Sequence, residues 1–284
     1  MHYETPDLLV RCLTALGESE GIGSCEVRVV DNGSRGFDPQ TYASILPSLE
    51  IIQNPENRGF AVASNQGLRR AGGRYVLLLN PDTMVEPPAI ARVVEYLDSH
   101  PDVGCATARL VLPDGRLDLA CRRSFPTPTV AFFRMTLLSR VFPRSRRFGR
   151  YNLTYLPEDV ESEIDAPCGA FMMVRSTVVD EVGLLNEAYF MYGEDLDWAF
   201  RIKAAGRRIV YLPTAIVHHH KRASSSRNRE QTIRWFYRAM RIFYRDHYRP
   251  IYPRWVSCAV LFAIGLRERV ELMSARVSRA LRLS

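Results

Sequence analysis

The chain has 284 residues, of which 46% are hydrophobic and 24% are charged, and its formal net charge is +7 at pH 7. This composition excludes a disordered or fibrous protein, and the length allows one sizeable core with an appendage. The six cysteines lie far apart and form no CxxC pair, which argues against a zinc site or a disulfide framework and fits a reducing cytoplasm.

Charge separates an acidic body from a basic tail. Residues 221–284 carry 15 Lys and Arg against 4 Asp and Glu, so the first 220 residues are net acidic. The best candidate for a membrane span, WVSCAVLFAIGL, has 12 residues, whereas ~20 are needed to cross a bilayer. The two parts of the chain therefore indicate two different roles.

The first 110 residues alternate between helical and strand patterns. The expected order is helix 5–17, strand 25–31, strand 49–54, helix 60–73, strand 74–80, helix 87–100 and strand 103–108. Thr5 is the expected N-cap of the first helix and Gly17 its stop. Because nearly all-apolar strands alternate with helices, we expect a mostly parallel sheet covered on both faces, with ligands beyond the carboxyl ends of its strands.

The second half has a less regular pattern. Pro-Asp-Gly within 109–120 predicts a hairpin, and 121–165 is rich in Arg, Phe and Pro, which is typical of an irregular, mobile region. A strand (168–175), a short helix, an acidic helix stopped by Gly206 and a strand (207–213) follow.

The N-terminus is unusual for a βα fold, which begins with a hydrophobic strand, because only MHYE precedes Thr5. Either the sheet lacks a strand or the true start lies upstream, and we favour the second interpretation.

Several polar motifs follow predicted strands, and each also has a purely structural interpretation. Asp31 in VVDNGS suits contact with a nucleobase or ribose, or a tight Asn-Gly turn. Asn57, Arg58 and Gly59 precede a helix N-terminus that can attract phosphate, although, taken alone, an ordinary helix entry explains them better. Asp82 follows the most apolar strand, where a carboxylate can hold a hard divalent cation against a diphosphate, or form a Pro-Asp turn.

Three further motifs lie in the second half. Cys168-Gly169-Ala170 is a small-residue turn that lets a substrate approach the backbone, and nothing nearby indicates an activated thiol. His218, His219 and His220 suit a divalent metal, with a surface loop as the alternative. Glu194, Asp195 and Asp197 complement the positive end of a helix, but capping needs only one acid, so the cluster favours a catalytic base.

Six segments, taken together and in order, resemble the family 2 glycosyltransferases of the GT-A fold, and within them the bacterial rhamnosyltransferase-like branch. The segments are VVDNGS, NRGFAVASNQGL, LLLNPDT, CGAFMMVR, YFMYGEDLDWAFRIKAAG and VHHHKRASS. The resemblance covers roughly residues 2–226, and implies a nucleotide-binding half (about 1–110), an acceptor and catalytic half (about 111–226) and a helical extension (227–284). It also implies that the first strand is missing.

The resemblance assigns roles to individual residues. Asp195 matches the catalytic base and Glu194 its neighbour; Asp82 and His219 match the ligands of a divalent metal, Mg²⁺ or Mn²⁺, with His218 second. Asn80 stands where an acid is common. Cys168, Gly169 and Asp197 would line the acceptor and sugar pocket. The nucleotide-sugar site would be formed by Tyr3, Glu4, Asp31, Asn57, Arg58, Asn65, Asn80 and Asp82.

The implied reaction is inverting transfer of a sugar, rhamnose by resemblance, from a dTDP- or UDP-sugar to a glycan or lipid-linked acceptor at the cytoplasmic face of the inner membrane. Crowding by Glu194 and Asp197 is expected to raise the proton affinity of Asp195. The alternatives are a catalytically degenerate nucleotide-sugar-binding or scaffold protein and a nucleotidyltransferase, whose glycine-rich basic loop is not visible.

The tail has two basic amphipathic patterns. The first (230–248) has an apolar face of Ile233, Phe236, Tyr237, Met240, Phe243 and Tyr244, and suits packing on the body as well as a membrane surface. The second has Leu266, Val270, Met273, Val277 and Leu281 among arginines, for which we favour an anionic membrane surface. No recognition motif supports nucleic-acid binding.

Overall fold

The computed structural model describes residues 1–46, 48–221 and 229–280, apart from the side chains of the last two. Its strands are β1 (Val27–Asn32), β2 (Leu49–Asn54), β3 (Tyr75–Leu79), β4 (Thr83–Val85), β5 (Val103–Val111), β6 (Ser162–Glu163), β7 (Phe171–Arg175) and β8 (Arg208–His219). Its helices are α1 (Pro6–Gly17), α2 (Pro39–Ala43), α3 (Phe60–Leu68), α4 (Ala89–Ser99), α5 (Pro128–Met135), α6 (Leu138–Val141), α7 (Ser176–Val182), α8 (Glu194–Ala204), α9 (Arg229–Phe243) and α10 (Arg254–Ala280).

Most predicted elements are present, with some shifted ends. β2 has the predicted bounds, whereas α3 ends at Leu68 instead of residue 73, and β8 continues six residues beyond the predicted strand to include His218 and His219. Thr5 is the N-cap residue of α1, but its side chain makes no capping hydrogen bond. Residues 121–165 hold only short helices and the two-residue β6.

The strands form a mixed sheet, which corrects the expectation of a mostly parallel one. β3, β7, β5, β8 and β4 lie side by side in that order, with β6 paired to β8. β5 and β8 are parallel, but β7 is antiparallel to both of its neighbours, and β4 and β6 are antiparallel to β8. A run of apolar residues looks the same whether its strand is parallel or antiparallel to the neighbouring strands. The sequence pattern alone therefore did not predict that β7 is antiparallel.

β1 and β2 form a separate parallel pair with its own small core. A cavity of about 1080 Å³ lies between this pair and the larger sheet, and its lining includes Val27–Val30 from β1 and Tyr75–Leu79 from β3. In the described part of the chain, β3 pairs only with β7, and β1 pairs only with β2 and with His2 through one isolated bridge. The cavity therefore lies where another strand would join the two sheets. That a strand is missing stays a prediction.

The tail begins on the body and ends exposed. Phe243 and Tyr244 are buried in a cluster with Tyr189, so this part of the first amphipathic pattern packs on the body, whereas Phe236 is 42% exposed. A π-helical turn, Tyr244–Tyr248, then leads toward α10, which packs along α9. Within the described residues, no helix is long and apolar enough to span a membrane.

Candidate active site

Asp195 lies in the first turn of α8, where Gly193 adopts a positive φ of 85° to start the helix. Its Oδ2 accepts hydrogen bonds from Arg123 Nη2 at 2.8 Å and from the Gly169 backbone N–H at 3.2 Å. Oδ1 accepts from the Leu196 backbone N–H at 2.7 Å. The carboxylate is therefore held in one orientation by two separate segments of the chain.

Arg123 is the main residue that sequence reasoning missed at this site. Its side chain and that of Asp195 are each 11% exposed, and it also donates to the Pro167 carbonyl. Although burial opposes the charge, the Asp195 carboxylate raises the pKa of Arg123 above its ordinary value. The guanidinium is therefore a permanent positive charge against the candidate base.

Glu194 is a buried acid at the start of α8, directly before Asp195. Its side chain is buried, and Oε2 has no hydrogen-bond partner among the described residues. Burial, and next the charge of Asp195, raise the pKa of Glu194 to about 8. The raised proton affinity expected at Asp195 stays a prediction.

Asp197 has contacts that disfavour the predicted acceptor-pocket role. It is buried, accepts a hydrogen bond from Arg201 Nε at 3.0 Å and lies 2.8 Å from His247 Nε2. His247 also packs on Phe200, with ring centroids 4.1 Å apart. Asp197 therefore connects α8 to the π-helical turn that follows α9.

Cys168 and Gly169 lie just before β7. A methyl group added to Gly169 would lie 3.5 Å from Phe60 and 4.0 Å from the Asp195 Cβ, so the backbone approaches the carboxylate closely. Burial raises the pKa of Cys168 to about 12. A neutral thiol is not a nucleophile, in agreement with the sequence interpretation.

A second cluster surrounds Asp82, between β3 and β4. The pairing of Thr83 with His219 brings β8 alongside, and His219 Nε2 lies 3.4 Å from Asp82 Oδ1. That separation and geometry do not make a hydrogen bond, and Oδ1 is buried without a partner among the described residues. Of the other two histidines, His218 lies 3.3 Å from Glu86 on the surface, and His220 donates its backbone N–H to the Asp82 carbonyl.

Asp118 holds this second cluster in place and was also missed by the sequence analysis. One oxygen lies 2.9 Å from His219 Nδ1, and the other accepts from Lys221 Nζ at 2.8 Å and the Ala120 N–H. Burial opposes the charge of Asp118, but His219 and Lys221 lower its pKa well below its ordinary value. Burial likewise opposes the imidazolium, yet Asp118 and then Asp82 raise the pKa of His219 to about 9.

The residues present fit a divalent cation held jointly by protein and substrate. Among the described residues, Asp82 Oδ1 is a buried carboxylate oxygen with no hydrogen-bond partner, and His219 Nε2 faces it while Asp118 holds the opposite ring nitrogen. Within the described ranges there is no group of three or more candidate ligands. Two protein ligands suffice for Mg²⁺ or Mn²⁺ when water and phosphate oxygens complete the coordination. The resemblance selects His219 among the three histidines by its spacing to Ser224, and Ser224 lies outside the described residues.

The two clusters share one end of the sheet. The Asn80 N–H, just after β3, donates to the Ala170 carbonyl, just before β7, at 3.1 Å. Gly169, the neighbour of Ala170, donates to Asp195, and Asp82 lies two residues beyond Asn80. Through these two hydrogen bonds, the segment that holds Asp82 and the segment that contacts Asp195 are direct neighbours.

The predicted nucleotide residues fall into two groups. Asp31 is buried at the end of β1, with His2 Nδ1 at 2.9 Å and the Ser34 N–H at 3.1 Å. Asn32, also missed, connects this strand to the next loop by contacts with the Asn57 side chain and the Arg58 N–H. Glu4 lies in the same region, because its Oε1 accepts from the Arg35 N–H and its own N–H donates to Ser34 Oγ.

Asn65 and three other predicted residues have different surroundings. Asn65 is buried and bonded to both the N–H and the carbonyl of Leu185 and to Glu187, contacts that fix the loop before α8 and disfavour a nucleotide role. Arg58 is exposed, and Tyr3 and Asn80 are half-buried.

This arrangement defines a glycosyltransferase of the GT-A fold. Among solved structures, a mannosyltransferase from Pyrobaculum calidifontis in complex with GDP-Man and Mn²⁺ superposes with a TM-score of 0.59 at 18% identity, over 99% of this chain and 72% of that one. GalNAc-T7 with UDP, GalNAc and Mn²⁺ superposes with a TM-score of 0.51 at 15% identity, over 74% of this chain. This chain spans 41% of the length of that second structure.

Residues 2–238 match the model of the glycosyltransferase like family 2, and the chain belongs to that family. Its relatives include the N-acetylglucosaminyl-diphospho-decaprenol L-rhamnosyltransferase of Mycobacterium tuberculosis, which is 27% identical over 234 residues. That match covers 78% of this chain and 75% of the relative. The predicted rhamnosyltransferase-like branch is thus confirmed as a resemblance.

Proposed function

We propose that the protein transfers a sugar, with inversion, from a nucleotide-diphospho-sugar to a lipid-linked or cell-surface glycan acceptor. The observation that carries this proposal is the fixed carboxylate of Asp195 beside the segment that bears Asp82. Arg123 and Gly169 orient Asp195, while a buried oxygen of Asp82 has no hydrogen-bond partner among the described residues. One end of the sheet thus holds a candidate base and a candidate diphosphate site.

Asp195 acts as the general base. The acceptor hydroxyl loses its proton to the Asp195 carboxylate while its oxygen bonds to the anomeric carbon of the donor sugar. The bond from that carbon to the diphosphate breaks on the opposite face, and the nucleoside diphosphate leaves with the bonding electrons. A single displacement of this kind inverts the anomeric centre.

Asp82 and His219 would hold a divalent cation, Mg²⁺ or Mn²⁺, which when bound offsets negative charge on the leaving diphosphate. Asp118 keeps the His219 ring in the orientation that turns Nε2 toward Asp82. Lys221, which Asp118 also holds, places a further positive charge beside the same cluster.

The donor nucleoside binds at the end of β1. Asp31, Glu4 and the loop of Asn57 and Arg58 lie there, and Tyr3 is adjacent in the chain. A dTDP- or UDP-sugar is the proposed donor. The Mycobacterium tuberculosis relative is named for L-rhamnosyl transfer to a diphospho-decaprenol lipid, which supports rhamnose and a lipid-linked acceptor.

The tail helix α10 provides contact with an anionic membrane surface at the cytoplasmic face. An apolar stripe at intervals of three, four or seven residues is exposed along it: Trp255, Phe262, Leu266, Val270, Met273 and Val277. Arg269 and Arg276 flank one side of the stripe, and Arg267 flanks the other. Glu268 is on the opposite face and pairs with Arg241 of α9. A helix of this kind lies in the interface without spanning the bilayer.

The base assignment is tested by nucleoside diphosphate release from dTDP- and UDP-sugars with Mn²⁺ or Mg²⁺. Asp195→Asn should abolish release while donor binding, measured by calorimetry, is retained. Asp180→Asn, at an exposed position on α7, is the matched control and should remain active. If Asp195→Asn releases nucleoside diphosphate as fast as the unmodified protein, Asp195 is not the general base.

A non-catalytic role is the second candidate, because Asn80 stands where an acid is common in the family. Tight donor binding without turnover in the unmodified protein would favour that degenerate binding or scaffold protein over the transferase.

The metal assignment is tested by Mn²⁺ binding in the presence of nucleoside diphosphate. Asp118→Asn removes the carboxylate that orients His219 and should weaken Mn²⁺ binding by about 10- to 100-fold. Asp114→Asn, an exposed change in the same hairpin, should have no effect. Unchanged Mn²⁺ affinity in Asp118→Asn would contradict the proposed site.

A further inference from the structure

A second exposed apolar and basic surface lies on the α5–α6 hairpin, residues 128–150. Large apolar side chains are exposed there: Phe132 (57%), Leu137 (47%), Val141 (65%) and Phe142 (50%). Solvent exposure of this many apolar groups in one short segment is unfavourable unless another surface covers them.

The same hairpin is strongly basic. Arg134, Arg140, Arg144, Arg146, Arg147 and Arg150 lie within it, and the sequence has no Asp or Glu from 119 to 157. Across the ranges that the structure describes, none of these six arginines forms an ion pair with a carboxylate. Arg134 and Arg147 lie over the rings of Tyr151 and Phe133, and the positive charge of the hairpin is not neutralised by the protein.

The hairpin has a small buried core of its own. Poor packing within the segment therefore does not explain its exposed apolar side chains. Phe133 is buried and meets Phe148 edge-on, with ring centroids 4.8 Å apart. Thr127 caps α5, because its side chain accepts a hydrogen bond from the Val130 N–H. Gly149 packs closely on Pro143, since a Cβ added to Gly149 would lie 2.3 Å from the Pro143 carbonyl oxygen. Phe132 and Phe142 lie at the edge of this small core, with ring centroids 5.9 Å from Phe133 and 5.5 Å from Phe148, and about half of each side chain is exposed.

Leu137, between α5 and α6, has a left-handed backbone with φ of 62°. That conformation costs a non-glycine residue roughly 1–2 kcal/mol, and glycine or asparagine adopts it more readily. A leucine placed there at such a cost, and half-exposed, favours a role in binding over one in folding.

The hairpin stands directly beside the candidate base. The Ser124 N–H donates to the Tyr151 carbonyl at 2.8 Å, which closes the base of the hairpin. The residue before Ser124 is Arg123, the partner of Asp195. The base of the hairpin is therefore joined directly to the segment that holds Asp195.

We propose that the α5–α6 hairpin docks on an anionic lipid surface, with Phe132, Leu137, Val141 and Phe142 in the acyl boundary and the arginines among the headgroups. The absence of acids and the unpaired arginines favour lipid over a second copy of this strongly basic segment, which would repel itself. The inference deepens the proposed membrane contact of α10, since it adds a second contact next to the catalytic end.

The test is co-flotation of the full chain with vesicles, without donor or acceptor, so that an inactive transferase would not affect the result. The α10 variant Trp255→Phe/Phe262→Ser serves as the background, so that hairpin and tail contributions are separated. In that background, Phe132→Ser/Phe142→Ser should reduce binding to phosphatidylglycerol vesicles by roughly tenfold or more. Arg140→Gln and Arg144→Gln should each reduce it by about fivefold.

Val160→Ser and Arg11→Gln are matched controls, because Val160 is half-exposed and Arg11 is exposed, both outside the hairpin. Both should bind like the background. Phe142→Trp in the same background should show fluorescence quenched by brominated lipids beyond the quenching of the background protein.

Three outcomes would overturn the inference. They are hairpin variants that bind like the controls, equal binding to phosphatidylcholine vesicles, and a dimer in sedimentation that the Phe132→Ser/Phe142→Ser variant abolishes. The third outcome would assign the surface to a second copy of the chain.

Discussion

Removal of the guanidinium at position 123 is expected to destabilise the protein strongly. In Arg123→Met the side-chain volume is roughly kept, but the buried carboxylate of Asp195 loses its charge partner. Both side chains are only 11% exposed, so solvent cannot replace the lost contact well. Breaking a buried pair from one side costs about 3–5 kcal/mol, because the remaining charge is uncompensated.

A double-mutant cycle separates this charge effect from the general loss of packing. Asp195→Asn leaves the guanidinium unpaired and should also destabilise. Arg123→Met with Asp195→Asn removes both charges, so the double variant should be more stable than the sum of the single effects predicts, by about 2–3 kcal/mol. Urea unfolding followed by circular dichroism measures the three free energies.

Arg122 supplies a comparison within the same segment, because it is also buried but donates to the carbonyls of Leu156 and Pro157 and not to Asp195. Arg122→Met should therefore show additivity with Asp195→Asn. Single effects at Arg123 and Asp195 that add within about 0.5 kcal/mol would refute the coupling.

Three further predictions concern pH, the cavity and one glycine. The raised pKa of Glu194, about 8 against an ordinary 4.5, means that the folded state retains a proton that the unfolded state loses, so stability should fall as pH rises from about 4.5 to about 8. Glu194→Gln should lack this part of the pH dependence in thermal unfolding from pH 5 to 9. Met1 lines the cavity between the two sheets, so fusing an apolar strand of about six residues ahead of it should bury apolar surface and raise Tm, whereas a polar strand should not. Gly59→Ala should lower the free energy of unfolding, measured with urea, by more than about 1 kcal/mol, since φ is 87° and the new Cβ would lie 2.7 Å from the Phe190 carbonyl oxygen. Gly36 has a φ of 66° but open space around it, so Gly36→Ala should cost only the strain of the backbone conformation.

The sequence predicted the elements better than their directions. β2, β7 and α8 follow from local patterns of apolar and capping residues, and these are present in the structure. The reversal of β7 depends on the path of residues 121–165, which has no periodic signal. The end of α3 at Leu68 is set by capping contacts of the Arg69 N–H, whereas the paired glycines that suggested residue 73 lie further along.

The sequence predicted the candidate site residues that directly follow strands. It did not predict the residues whose partners are distant in the sequence. Arg123 is 72 residues from Asp195, and Asp118 is 101 residues from His219. One signal was present in each case: two adjacent arginines in the apolar segment around Cys121, and an aspartate just past the Pro-Asp-Gly turn. Neither signal identifies a partner, because the partner depends on tertiary packing.

The polar atoms that the fold leaves unsatisfied indicate where the substrate binds. Asp195 and Asp118 each accept hydrogen bonds from cationic partners, whereas Asp82 Oδ1 and Glu194 Oε2 are buried without a hydrogen-bond partner among the described residues. Such an atom costs about 1–3 kcal/mol, and the fold can offset this at Glu194 by protonation. At Asp82 a divalent cation would satisfy that oxygen, with His219 Nε2, 3.4 Å away, as the second protein ligand. The unsatisfied oxygen of Asp82 is therefore a stronger argument for a cation site than the Asn-Pro-Asp sequence around it.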